Sequence, residues 1–249
     1  MSAPQNVIAL VFDFDDTLTD DSTTRLLEIY GIDARNFWTK LVAPLVNDGW
    51  DNALAYLNLI LDEAAPGRPL ESLTNARLRE IGADLAIYNG LPQLFDDLQV
   101  ITAEHRMTRP AVEFYIVSGG LEEVIKGSTI AKHFSGIWGC RFDEINGRIG
   151  RVRNAISFTE KTKYIYAINK GMHDDVRRDQ YSVNRMVKPE DRRIPMSNMI
   201  YVGDGLTDVP CFSLIQNQGG TAFGVFDPQK QGSPKKPTSS SWRHTGLAQ

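Results

Sequence analysis

Four short apolar runs, Val7 to Phe12, Phe114 to Val117, Met199 to Val202 and Thr221 to Phe226, constrain this chain more than any other feature. Each has the length and continuity of a strand buried on both faces, the mark of a parallel sheet covered by helices. The first three end in polar clusters, at Asp13, Ser118 and Asp204. In an open α/β sheet, ligands sit outside the carboxyl ends of the strands, so function is expected at these three places.

Roughly 100 residues separate the first run from the second, far more than a single crossover helix needs. They carry helical periodicity over Thr23 to Tyr30, Phe37 to Val46, Asn52 to Glu63 and Leu70 to Ala86. An inserted α-helical cap is therefore expected at 20–88, with the core formed by 1–19 and 89–226. Tyr88 to Pro92 reads as the return hinge, where Gly90 and Pro92 break the helix before the next one starts at Gln93. A helix is predicted over Leu121 to Lys126, then a small hairpin at about 138–152 turning on Asn146-Gly147. The polar, mixed-charge stretch 172–196 reads as a surface loop with solvated arginines. Residues 227–249 have no periodic apolar face and are expected to be disordered.

Composition narrows the function. A formal net charge of −4 over 249 residues disfavours a general nucleic-acid or anionic-membrane binder, so any phosphate affinity has to be local. Cys140 and Cys211 have no metal-ligand or framework spacing, which suits free thiols in a reducing setting. No signal-peptide pattern and no apolar run near the roughly 20 residues of a membrane helix are found, so a cytoplasmic protein off the membrane is expected. Oligomeric state is left open.

The chemistry concentrates in Asp13-Phe14-Asp15-Asp16-Thr17, directly after the first strand. Two carboxylates one residue apart at a strand end can face one reaction centre. If phosphoryl transfer is the chemistry, Asp13 attacks phosphorus and Asp15 serves as general acid, then base. The bland alternative is an acidic turn capping a helix. Gly203-Asp204-Gly205-Leu206-Thr207-Asp208 follows another strand, and Asp204 with Asp208 suits a hard cation such as Mg²⁺. Ser118-Gly119-Gly120 offers a hydroxyl, glycine N–H groups and a following helix amino terminus to phosphate oxygens. Lys161 opens a helix from which it reaches a trianionic transition state, with Lys163 and Lys170 as rivals.

In this order, Asp13-x-Asp15-x-Thr17, Ser118, Lys161 and Gly203-Asp204-Gly205-x-x-Asp208 resemble the four motifs of the haloacid dehalogenase superfamily of phosphohydrolases, over roughly residues 7 to 226. The resemblance implies a Rossmann-like three-layer core with a parallel sheet of order 5-4-1-2-3. It also implies Mg²⁺ held by Asp13, the Asp15 backbone carbonyl and Asp204, with Asp208 supporting the metal site. Ser118, Gly119 and Lys161 would hold the phosphoryl group, and the presence of Asp15 disfavours dehalogenation.

Val117-Ser118-Gly119-Gly120 and the Asn146-Gly147 hairpin are similar to the phosphoserine phosphatase branch. Ser22 stands where that branch carries a glutamate, and Thr207 where it tends to have Asn, so phosphoserine is one candidate substrate among several. The expectation is a phosphatase acting on a small phosphorylated metabolite through an aspartyl-phosphate. The alternatives are a phosphotransferase or nucleotidase with the same site, or a phosphate-binding protein without turnover. In the cap, Phe37, Trp38, Lys40 and Trp50 either line the entrance or pack its interior, and packing is the expectation for such aromatics.

Overall fold

The computed structural model describes residues 5–104 and 110–226; the segment 227–249 lies outside them. In chain order the elements are β1 (Val7–Phe12), α1 (Ser22–Ile29), α2 (Ala34–Asn36), α3 (Ala43–Asn47), α4 (Asn52–Glu63), α5 (Asn75–Ala83) and α6 (Leu91–Glu104). There follow β2 (Ala111–Leu121), α7 (Glu122–Gly127), β3 (Phe134–Ile145), β4 (Arg148–Asn154), α8 (Glu160–Lys170), β5 (Met199–Gly203), α9 (Val209–Asn217) and β6 (Thr221–Gly224).

The strands form one sheet of order β4-β3-β2-β1-β5-β6. Five of them, β3-β2-β1-β5-β6, run parallel; counted alone along the chain they have the order 5-4-1-2-3. The sixth, β4, is antiparallel and extends the edge. The expected hairpin is present, β3 pairing with β4 across Asn146-Gly147. Its first arm is the continuation of β3, a parallel core strand that begins at Phe134.

Alternation along β1 divides the core. Ala9 and Val11 face one cluster with Ile165 and Ile168 of α8 and Phe212 of α9, while Leu10 and Phe12 face another built around Phe95 of α6. Helices therefore cover both faces, as continuous apolar runs require.

The segment between β1 and β2 is helical, but its boundaries are set by caps that periodicity does not show. Asp21 Oδ1 accepts from Thr24 N at 2.6 Å and starts α1, and Asp51 Oδ1 accepts from Leu54 N at 3.0 Å and starts α4. The expected helix from Leu70 to Ala86 shrinks to α5, since Thr74 caps it through Arg77 N at 3.0 Å and Asp84 follows its last turn. A π-helical turn occupies Phe37–Val42, with Ala43 N bonded to Trp38 O. Pro92 lies in the first turn of α6, where its missing N–H costs nothing, so it opens that helix rather than breaking one.

Two glycines fasten α5 to α7. A Cβ on Gly82 would stand 1.9 Å from Val124 O, and one on Gly127 would stand 1.9 Å from Arg79 O. Gly82→Ala should destabilise the protein by about 1–3 kcal/mol in urea denaturation, from overpacking against backbone. Helix propensity alone favours alanine there, so a more stable variant would refute the close approach.

Two arginines of the 172–196 stretch are structural rather than solvated. Arg177 Nη1 lies 2.6 Å from Oε1 of the buried Glu122, and Arg193 Nη1 donates to Glu113 Oε2 at 2.6 Å. No helix among the described residues is long and apolar enough to cross a membrane.

Candidate active site

β1, β2 and β5 deliver their polar ends to one place. Asp13 continues β1 by one ladder bond, its N–H donating to Val202 O at 2.9 Å, and is 5% exposed. The chain then turns through Asp16, whose φ of 55° is tolerated by aspartate better than by most residues. Lys161, in the first turn of α8, is 1% exposed. Its ammonium donates to Asp13 Oδ2 and Asp208 Oδ1, each at 2.7 Å. Burial lowers the lysine pKa, but the charges of Asp13 and Asp208 outweigh it and hold the group well above its ordinary range. The rivals lie elsewhere: Lys163 pairs with Glu160 at 2.9 Å, and Lys170 donates to the carbonyls of Val183 and Arg185.

Asp13, Asp204 and Asp208 each present an oxygen, all within 4.8 Å of one another. Burial, then the charges of Asp13, Asp208 and Asp16, push the Asp204 carboxyl up to about 7. Clustered hard oxygen donors whose charges repel one another are the donor set Mg²⁺ prefers, so the residues present fit the ion. Asp208 already accepts from Lys161, from Tyr201 Oη at 2.8 Å and from Gly205 N at 3.3 Å. Asp13 and Asp204 could therefore hold an ion directly, while Asp208 anchors the lysine and the loop.

Asp15 is partly buried, with Oδ1 accepting from Ser22 N at 2.8 Å. Its carboxyl is raised well above the ordinary range, chiefly by burial and then by the charge of Asp21. Ser118 is 1% exposed, and its hydroxyl oxygen accepts from Gly120 N at 3.1 Å. Here the structure corrects the expected turn: β2 runs on through Ser118, Gly119 and Gly120 to Leu121. Pairing with β3 jumps from Val117↔Trp138 to Leu121↔Cys140, so these residues bulge out of the ladder. The expected helix amino terminus contributes little, because α7 is six residues long and opens with Glu122 and Glu123, which already complement its dipole.

The lining of a cavity of about 210 Å³ includes Asp13, Asp15, Ser118, Gly119, Lys161 and Asp204. The same lining includes Asp16, Asp21, Trp38, Asn52, Tyr56, Phe158 and Thr207, which the motifs did not single out as site residues. Trp38 thus faces the cavity as well as its neighbours, whereas Phe37 is buried and Lys40 and Trp50 are exposed and outside the lining. Tyr201 was also missed; an aromatic inside an apolar strand gives no sign that its hydroxyl serves Asp208.

Strand order, the bulged second strand and this acidic cluster define an α/β protein with its polar groups gathered at the strand ends, and comparison with known proteins gives its family. Residues 10–213 match the haloacid dehalogenase-like hydrolase family, and the chain belongs to that family. An uncharacterized protein of Borreliella burgdorferi (strain ATCC 35210 / DSM 4680 / CIP 102532 / B31) is 31% identical over 239 residues, covering 87% of this chain and 81% of the relative. Among solved structures, a substrate-bound phosphoserine phosphatase complex is similar in fold, with TM-score 0.53 and 13% identity over 89% of this chain and 94% of its own. A hydrolase of the same family from Salmonella enterica subsp. enterica serovar Typhi gives TM-score 0.58 and 15% identity, over 90% of this chain and 69% of its own.

Proposed function

We propose that this hydrolase is a Mg²⁺-dependent phosphatase of small phosphate monoesters, working through an aspartyl-phosphate on Asp13. The observation that carries the reading is the convergence of Asp13, Asp15, Ser118, Lys161 and Asp204 from separate strands and a helix onto one small cavity. Asp13 attacks phosphorus and the ester P–O bond breaks as Asp15 gives its proton to the leaving oxygen. Asp15 then takes a proton from water, which attacks the aspartyl-phosphate and releases phosphate. Lys161 and Ser118 hold the phosphoryl oxygens as charge builds on them. Asp13, the Asp15 carbonyl and Asp204 would hold Mg²⁺, which would supply charge neutralisation between the carboxylate and the phosphate.

What lines the cavity supports a substrate class. Among the described residues, Lys161 is the one cationic side chain in the lining, facing five aspartates. The additional phosphates of a nucleoside di- or triphosphate would find no partner there, which favours a small ester with one phosphate. Helices α1 to α5 act as the cap over the leaving group in this reading, with Trp38 of the π-helical turn and Asn52 of α4 facing it.

The test is phosphate release from a panel of small monoesters, p-nitrophenyl phosphate included, with Mg²⁺ and with chelator. Turnover that disappears with chelator and returns with Mg²⁺ is expected. No release from any ester, despite measurable Mg²⁺ binding, would remove the phosphatase reading.

A further inference from the structure

We propose that Tyr56 is a positioning residue for the proton donor Asp15, acting through a ring of contacts that leaves the sheet, crosses the helical segment and returns; this rests on the phosphatase reading above. Tyr56 lies on the buried face of α4 between Ala55 and Leu57, a place where an aromatic ordinarily serves packing alone. Its hydroxyl, however, donates to the Gly119 carbonyl at 2.7 Å. Gly119 belongs to the bulge that β3 does not pair, so Tyr56 supplies a hydrogen bond that the ladder leaves out. Cys140 Sγ adds a weaker contact to the same carbonyl at 3.2 Å.

The next residue touches the acid. A Cβ on Gly120 would stand 2.2 Å from Asp15 Oδ2, so only a bare backbone fits against that oxygen. The opposite oxygen, Oδ1, is held by Ser22 N at 2.8 Å. Ser22 opens α1; two residues on, Thr24 Oγ1 accepts from Trp38 Nε1 at 2.8 Å. The Trp38 ring packs on the Tyr56 ring, centroids 5.7 Å apart and planes tilted by 55°. The ring therefore closes: Asp15, Ser22, Thr24, Trp38, Tyr56, Gly119, Gly120 and Asp15 again. Rotation of the Asp15 carboxyl is opposed from both sides, and both arms pass through Tyr56.

A displaced acid has a recognisable kinetic signature. A nitrophenolate departs without a proton, whereas an alkoxide needs one, and general acid catalysis contributes about 10²–10⁴-fold where it is needed. Tyr56→Phe should then lower kcat/KM, which reports the steps up to departure of the leaving group and not the later hydrolysis of the aspartyl-phosphate, for an alkyl phosphate by about 10–100-fold, a fraction of that range, and for p-nitrophenyl phosphate by less than about 2-fold. Across substituted phenyl phosphates the loss should grow with the basicity of the leaving phenol. Thr24→Val, which cuts the ring on its other arm, should give the same trend with smaller losses, and it keeps the proposal open to test if Tyr56→Phe does not fold. An equal loss on every ester would mean that Tyr56 merely shapes the cavity or touches substrate, and would overturn the proposal; so would no loss on any. If the wild-type protein hydrolyses no ester, the phosphatase reading falls, and the ring is judged by the crystal structure of Tyr56→Phe. There, an Asp15 carboxyl still on Ser22 N–H and Gly120 would overturn it, and one turned away would support it.

Discussion

Asp13→Asn should abolish phosphate release, by at least about a thousandfold, while leaving the protein folded. The two side chains are nearly isosteric, but a neutral amide is a poor nucleophile toward phosphorus and forms no acyl phosphate. The variant keeps an oxygen that can accept from Phe14 N, 2.7 Å away in the wild type, or from Lys161. It loses one charge-assisted bond, worth about 1.5–3 kcal/mol, and gains relief from repulsion against Asp204 and Asp208. Those changes oppose each other, so the urea midpoint should move little. Turnover within tenfold of wild type in a folded variant would show that the phosphoryl group does not pass through this side chain. The same preparation should bind Mg²⁺ more weakly, because one of the carboxylates proposed to hold it has become an amide.

How far the sequence discloses this arrangement depends on whether a residue's role is local. The Asp13-to-Thr17 segment, the Ser-Gly-Gly bulge and the second acidic cluster stand at the ends of apolar runs, where strand pattern and polar chemistry coincide. The start of β3 hides because Ser135, Gly136 and Gly139 interrupt its apolar character, and the Asn146-Gly147 turn signal then draws the eye to the hairpin alone. Arg177 reads as a solvated charge because its partner Glu122 is 55 positions away and is itself inconspicuous in sequence. Tyr56 is the extreme case. Nothing within α4 separates an aromatic that only packs from one whose hydroxyl reaches Gly119, 63 positions along the chain. Lys161 differs again: its position in the motif order singles it out, but its burial between two carboxylates is a tertiary fact.

That burial makes Lys161→Met the largest expected change in stability, a loss of about 3–5 kcal/mol measured by urea denaturation in chelator. Methionine matches the lysine stem in length and polarity, so packing is nearly preserved and the lost charge dominates. The side chains of Asp13 and Asp208 are 7% and 0% exposed, and both take their counter-charge from this one ammonium. Without it, two buried carboxylates face each other and Asp204 with only neutral donors left around them among the described residues, Tyr201 Oη one of these. Deleting one partner of a buried ion pair costs more than the pair itself is worth, because the charge left behind stays desolvated. The double variant Lys161→Met with Asp208→Asn separates the two costs. Asparagine can still accept from Tyr201, and it removes one uncompensated charge, so part of the lost stability should return. The coupling energy between the two sites should be about 0.5–3 kcal/mol. Strict additivity would mean that the ammonium and the Asp208 carboxylate do not hold each other in the folded protein, and that the lysine is kept for the phosphoryl group alone.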